Sequence, residues 1–437
     1  MRRAGCIGVG LVLALAVASG AAAQEKPARL WVNVRADHKD HLYKLGETAV
    51  LTVDVWSQGK RVTEGQATWR LSVDGCTPAR EGSFELANPE SVSGTLSEPG
   101  FLLLEVTVKT PDGRERKNCG GAAFELEKVK PSRPMPEDFA SYWAKERGKL
   151  SALPMQPTLT AVEPDREGVE LFDVQIDCPG GKPVSAYFAR PLQRQGKKLP
   201  AILFVHGAGV RSSNKGSPQS WASRGALAMD INAHGLPNGK PKEFYKKAGK
   251  AKISGYTHLP GKTRESSYFH GMFLRMIRAL DFLCAQPEWD GEHLVVTGGS
   301  QGGAQSIAAA GLDSRVSAIA AHEPAMCDRT GVLIGRPSGW PRPVRRKDGT
   351  YNPDFAARAR YFDSMNFGQC ATARGLFSVG FRDRACPPTT VYAMYNVYAG
   401  PKEIVNLVNA GHHGSDIWRK RQRPFLFATL GLKEEPR

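Results

Sequence analysis

The sequence predicts an α/β fold preceded by a small all-β unit. From about residue 170 onward, compact apolar runs ("PAILFVHG", "RGALAMDIN", "EHLVVTGG", "VSAIAAHEP", "GLFSVGFRD") alternate with helix-forming stretches ("SYFHGMFLRMIRALDFLCAQ", "AQSIAAAGL"). Unbroken runs of that kind suit parallel strands buried on both faces. Before residue 129, seven shorter β-like runs are separated by turn signals. The length of 437 residues exceeds one ordinary domain, and 41% hydrophobic content is ample for two cores.

Taken in order, residues 1–23 read as a signal peptide: "MRR" supplies positive charge, "IGVGLVLALAVA" an apolar stretch, and "AAA" before Gln24 a small-residue cleavage site. A secreted or periplasmic mature chain is expected. No later segment approaches eighteen uninterrupted apolar residues, so no membrane span is expected in it. Residues 24–128 hold "LWVNV", "TAVLTVDVW", "ATWRLSV", "SFELA", "ESVSGTL", "GFLLLEVTV" and "AAFELEKV". These predict an immunoglobulin-like sandwich, acting as a spacer or cover for the catalytic unit. "KPSRPMP" (130–136) is the expected linker, and residues 129–437 the catalytic unit. That unit opens on a helix over "EDFASYWAKERGKLSAL", followed by "LFDVQIDC" and "PVSAYFARP" as an antiparallel pair at the sheet edge.

Without Cys6, seven cysteines remain, and Cys76 with Cys119 is the expected disulfide of an oxidising compartment. With neither C-x-x-C nor a histidine pair at ligand spacing, no metal site and no cofactor are predicted. The formal charge of +16 is concentrated partly in "GKPKEFYKKAGKAK" (239–252) and "RPVRRK" (342–347). These are read as solvated loops, the sharper alternative being attraction to an acidic, uronate-bearing polysaccharide. Nucleic acid is not an expected partner, since no binding motif for it occurs.

The chemistry centres on "LVVTGGSQGGAQSIAAAG" (294–311), a serine between paired glycines at a strand-to-helix bend. Gly298 and Gly302 leave room for a bend that pushes Ser300 outward as a nucleophile. A phosphate loop would need a lysine or a G-x-G-x-x-G opening, and neither is present. A serine hydroxyl needs a base. His412 and His413, in "LVNAGHHGSD" after the last strand-like run, are best placed, with His322 in "AAHEPAM" a competitor; His206 in "FVHGAG" reads as turn support. The base in turn needs a carboxylate. Asp383 in "GFRDRACPP" gives the chain order Ser, Asp, His; Glu323 is a second candidate, and a surface salt bridge with Arg382 or Arg384 the bland alternative for Asp383. The expected oxyanion donors are the backbone N–H groups of Gln301 and Ala208.

Together with "YFHGMFLRMIRALDFL", "PAMCD" and "FRDRACPPTTVYAMYNVYAGPKEIVNLVNAGHH", these stretches resemble the acetyl xylan esterase and cephalosporin C deacetylase family of α/β-hydrolases, from about residue 131 to the C-terminus. The pairing of "GGSQGG" with D-x-x-x-P-P-x-T-x-x-x-x-Y-N makes the resemblance specific. It implies Ser300 as nucleophile, Asp383 as acid and His412 as base. It further implies an α/β-hydrolase fold, a secreted serine esterase removing O-acetyl groups from saccharides, and no cofactor. Three departures stand out: Ala208 where the family has tyrosine in H-G-Y-G, "DINAHGLPNG" in place of D-x-R-G-Q-G, and the added β unit. The first leaves open a bulkier acyl ester or a peptide as substrate. The last leaves open whether the family's closed hexamer forms. From another class, the competing expectation is a catalytically silent carbohydrate-binding protein.

Overall fold

The computed structural model describes residues 28–434 apart from 194–195, 252, 258–262, 344–345 and 413. The expected signal peptide lies outside the described residues, and none of the described helices is long and apolar enough to cross a membrane.

A nine-stranded sheet organises the larger unit. Its strands are β1 (Thr158–Val162), β2 (Val169–Ile176), β3 (Val184–Pro191), β4 (Leu199–Val205), β5 (Leu227–Ile231), β6 (Trp289–Gly299), β7 (Ala318–His322), β8 (Arg374–Gly380) and β9 (Lys402–Leu407). They lie in the order β1-β2-β3-β5-β4-β6-β7-β8-β9. The first three and β5 pair antiparallel, and the rest pair parallel.

The alternation within each central run explains its composition. Ala201, Leu203 and Val205 face a core shared with the helices Phe139–Ala152, Tyr268–Cys284 and Gln301–Leu312. Ile202 faces the opposite core with Val295, Ala318, Leu376 and Trp418 of the helix Asp416–Thr429. Burial on both faces removes any polar side from the pattern. The expected antiparallel pair is present as β2 and β3, but β1 lies outside it; four of its five side chains are exposed, so no apolar signal announces it. The stretch expected as a basic loop contains a helix, Lys242–Lys250, anchored by Tyr245 alone among its side chains, with its lysines in water.

The N-terminal unit has two sheets. One holds Trp31–Ala36, Ala49–Ser57, Lys60–Arg61 and Val92–Gly94; the other holds Leu42–Tyr43, Glu115–Phe124, Gly100–Lys109, Gln66–Val73 and Thr77–Glu85. Val34, Leu51, Val53, Leu71, Leu104 and Val106 fill the space between them.

The strand "GFLLLEVTVK" carries two patterns. Leu102, Leu104, Val106 and Val108 point inward along its whole length. On the outer face, Phe101 and Leu103 are buried in the core of the larger unit, with Ala123 beside them; farther along, Thr107 with Thr68 and Lys117 reaches water. The run is therefore continuous where both faces are covered and alternating where one is wet. Each such apolar side chain contributes about 2 kcal/mol by leaving water.

The expected Cys76–Cys119 disulfide is not formed. Val73 pairs with Leu102, whereas Cys119 pairs with Glu105 on the same strand. Three residues of offset amount to about 10 Å, and Cys76 lies beyond Val73, outside the reach of about 7 Å between Cα atoms that a disulfide requires.

Candidate active site

Ser300 stands between β6 and the helix Gln301–Leu312 with φ 55° and ψ −120°, a backbone that costs an L-residue about 1–3 kcal/mol. Glycine makes the turn attainable: a Cβ on Gly298 would lie 2.2 Å from the Val205 carbonyl oxygen, and one on Gly302 2.3 Å from the same atom. The bend is pinned by the Ser300 N–H donating to the His322 carbonyl (2.9 Å) and by the Ser300 carbonyl accepting from the Ala325 N–H (3.0 Å).

Two loops complete the site. His412, beyond β9, brings Nε2 to 2.9 Å from Ser300 Oγ and Nδ1 to 2.7 Å from Asp383 Oδ2. Asp383, beyond β8, is buried, and its Oδ1 accepts the N–H groups of Ala385 (2.7 Å) and Cys386 (2.8 Å). Its carboxylate is thereby aimed at the imidazole, which fixes the ring's tautomer and orientation. The three residues expected to act together are within hydrogen-bond reach, while His413 lies outside the described residues. Asp383 is not in a surface salt bridge: Arg384 pairs with Glu105 at 3.3 Å, and Arg382 bonds neutral oxygens.

The competitors go elsewhere. His322 bonds Ser378 Oγ through Nδ1 (2.6 Å) and stacks on Trp418 at 5.1 Å. Glu323 lies close by, with Oε2 3.6 Å from His412 Nδ1. Burial, and then the charge of Asp383, push its carboxyl up to about 9. It is therefore neutral at pH 7, and Asp383 makes the shorter contact.

Opposite the serine runs the loop His206–Gly209. A Cβ on Gly207 would lie 3.6 Å from Ser300 Cβ, so the loop passes directly beside the nucleophile. The N–H of Gln301 opens a helix and has no carbonyl a turn earlier to bond. Among the described residues neither it nor the Ala208 N–H has an acceptor, which leaves both available to a developing oxyanion.

His206, expected from the sequence as turn support, fixes this loop together with side chains that the sequence did not single out. His206 donates from Nδ1 to the Gly207 carbonyl (2.7 Å) and accepts the Ala233 N–H at Nε2 (3.3 Å). His234 donates from Nε2 to the Gly209 carbonyl (3.0 Å) and accepts the Tyr268 hydroxyl at Nδ1 (2.6 Å). Burial pushes both imidazoles down to about 4, which keeps them neutral as these bonds require. Tyr256 donates to Gln301 Oε1 at 3.0 Å. His234 lies inside the divergent "DINAHGLPNG", a stretch that marks a difference without revealing a role.

Asp383, Cys386 and His412 place possible ligand atoms within 4.8 Å of one another. The chemistry of the set argues against a cation: the Cys386 thiol is buried and held well above its ordinary value, and Asp383 and His412 are already hydrogen-bonded to each other. A cavity of about 440 Å³ lies at the seam with the N-terminal unit, lined by Asp74, Phe101, Phe381, Asp383, Arg336 and Arg384 among others.

Comparison with known proteins agrees with this architecture. The acetyl xylan esterase family model matches residues 122–428. The acetyl esterase Axe7A of Xylanibacter ruminicola is 29% identical over 430 residues, covering 94% of this chain and 95% of that protein. The structure of an acetyl xylan esterase from Paenibacillus sp. R4 superposes with a TM-score of 0.60 at 29% identity, over 70% of this chain and 98% of that one. Acetyl xylan esterase 1 from Thermoanaerobacterium sp. JW/SL YS485, at 20% identity and TM-score 0.59 with the same coverage, shares the fold. With its α/β-hydrolase sheet and a family match over more than half its length, the chain belongs to the acetyl xylan esterase family, carboxylic ester hydrolases acting on acetylated xylan.

Proposed function

We propose that the protein removes acetyl groups from xylan-derived saccharides through an acyl-serine intermediate on Ser300, outside the cytoplasm. The observation that carries the mechanism is the relay from Ser300 Oγ to His412 Nε2 at 2.9 Å and from His412 Nδ1 to Asp383 at 2.7 Å. Ser300 Oγ attacks the acetyl carbonyl as His412 Nε2 takes its proton. The resulting oxyanion faces the N–H groups of Gln301 and Ala208, a class of interaction in which one donor is worth about 3–4 kcal/mol. His412 then protonates the sugar oxygen as its bond to the acyl carbon breaks, so that the sugar departs as its hydroxyl and acetyl-serine remains. Water, losing a proton to the same nitrogen, attacks that ester; the tetrahedral intermediate collapses, acetate leaves and Ser300 recovers its proton.

Acetate release from acetylated xylan tests this reading. Ser300→Ala is expected to lower kcat by about 10⁶-fold and to abolish labelling by a fluorophosphonate. Undiminished turnover in that variant overturns it, and an inert wild-type protein returns the silent binding protein. A mature N-terminus at Gln24 supports export; one at Met1 in the cell-free fraction removes the cleavage. Attraction of the basic segments to acidic xylan is tested by salt titration of binding, and absence of salt-sensitive retention ends it.

A further inference from the structure

The acid and the base hang on separate loops, and much of what holds the acid loop comes from the N-terminal unit. Phe381 is buried, with its ring 5.3 Å from Phe101 and 6.4 Å from His41, both edge-on. Arg382 places Nη2 against Asn33 Oδ1 (2.8 Å) and the Val34 carbonyl (2.9 Å) of the strand Trp31–Ala36, and against Asn409 Oδ1 (2.7 Å) of the loop leading to His412. The Arg382 N–H also bonds the Ala410 carbonyl at 2.9 Å. Arg384 pairs with Glu105, and its Nη1 occupies the space a Cβ on Gly75 would need. Residues 381, 382 and 384 are each gripped by the unit that contains no catalytic side chain.

The choice of arginine is informative. Burial lowers the Arg382 guanidinium from its ordinary value, and among the described residues no carboxylate pairs with it. A cation sheltered from water and met by neutral oxygens alone is costly. Its planar fork reaches the strand edge and the base loop together, which a point-charge ammonium does not do.

We propose that the N-terminal β unit is part of the catalytic framework: Asn33 and the Val34 carbonyl fix Arg382, and Arg382 acts as a positioning residue that sets the spacing of the Asp383 and His412 loops. This rests on the proposed roles of Ser300, His412 and Asp383 as a catalytic triad. A misplacement of about 1 Å at a reacting pair costs on the order of 100-fold in rate, so a clamp of this kind is read in kcat rather than in binding.

The test uses the full chain and p-nitrophenyl acetate. Asn33→Ala is expected to lower kcat about 10- to 100-fold with KM nearly unchanged. The acid limb of the pH–rate profile is expected to move to lower pH, because the His412 imidazolium keeps Glu323 beside it but loses part of its bond to Asp383. Asn33→Asp, which retains an acceptor at the same point, is expected to recover most of the rate, and Arg382→Lys to behave like Asn33→Ala. If Arg382→Lys does not fold, Asn33→Ala, altered only at an edge strand, carries the measurement. Unchanged kcat and pH profile in folded Asn33→Ala overturn the proposal. Ser300→Ala run alongside separates the two readings: if it is dead while Asn33→Ala is unaffected, only the clamp fails; if it is active, the triad reading fails as well.

Discussion

The serine end and the acid end of the site are built by opposite means. At the serine end, strain is contained within a few consecutive residues: Gly298 and Gly302 press their backbone against one carbonyl, that of Val205, and the helix begins at the next residue after Ser300. At the acid end, Asp383 sits on a loop bonded to residues 33, 34 and 409 and packed on residues 41 and 101. Short-range geometry can be written into a motif. Long-range support is spread over side chains whose meeting depends on the whole fold.

Four measurements break or sharpen that contrast. Asp383→Asn preserves shape but no longer holds the imidazole in its working tautomer, so kcat is expected to fall about 10⁴-fold; a loss under tenfold would show that Glu323 serves as the acid. Gly302→Ala introduces a methyl 2.3 Å from the Val205 oxygen, shifting the Gln301 N–H, and kcat/KM is expected to drop about 100- to 1,000-fold. Full activity there would show that the elbow relaxes freely.

Third, the two ends respond to pH from opposite sides. His206 and His234 titrate at about 4 when folded and near 6.5 when unfolded, so the unfolded chain takes up protons first and stability declines as pH falls from 6.5 toward 4. Glu323 titrates at about 9 when folded against 4.5 unfolded; the unfolded chain ionises first, so stability declines as pH rises between those values. Glu323→Gln is expected to melt higher than wild type at pH 8, with the difference closing toward pH 4. A constant difference across that range would contradict a neutral, buried Glu323. Smallest of the four, Ala208→Tyr is expected to leave acetyl-ester turnover within about threefold while reducing butyryl-ester turnover about tenfold, the size of discrimination available to a shape change in an apolar pocket. Equal effects on both esters would show that residue 208 does not limit the acyl group.

Legibility follows the same division. Ser300, Gln301 and the strands β4 to β9 could be read because apolar runs and a glycine-bracketed serine are local signals. Asp383 and His412 could be read because each follows a strand that ends at the same edge, in a chain order the fold dictates. What escaped was supplied by distant parts of the chain. Arg382 enters the sequence reading only as a bland partner for Asp383, since nothing near it in sequence points to Asn33. His234 meets the Gly209 carbonyl, with the Tyr268 hydroxyl behind it, only after β5 and the helix Tyr268–Cys284 are packed. The strand β1 has hardly any inward face to reveal it. The disulfide expected from two cysteines in one region failed on strand register, which spacing along the chain does not encode.

The divided outer face of the strand Gly100–Lys109 has an evolutionary corollary. Phe101 and Leu103 belong to the larger unit's interior as much as to their own sheet, so the two parts of the chain cannot drift separately. A substitution at either residue has to be answered around Phe381, and a foreign β module grafted at this end would fit only if it carried the same apolar half-face.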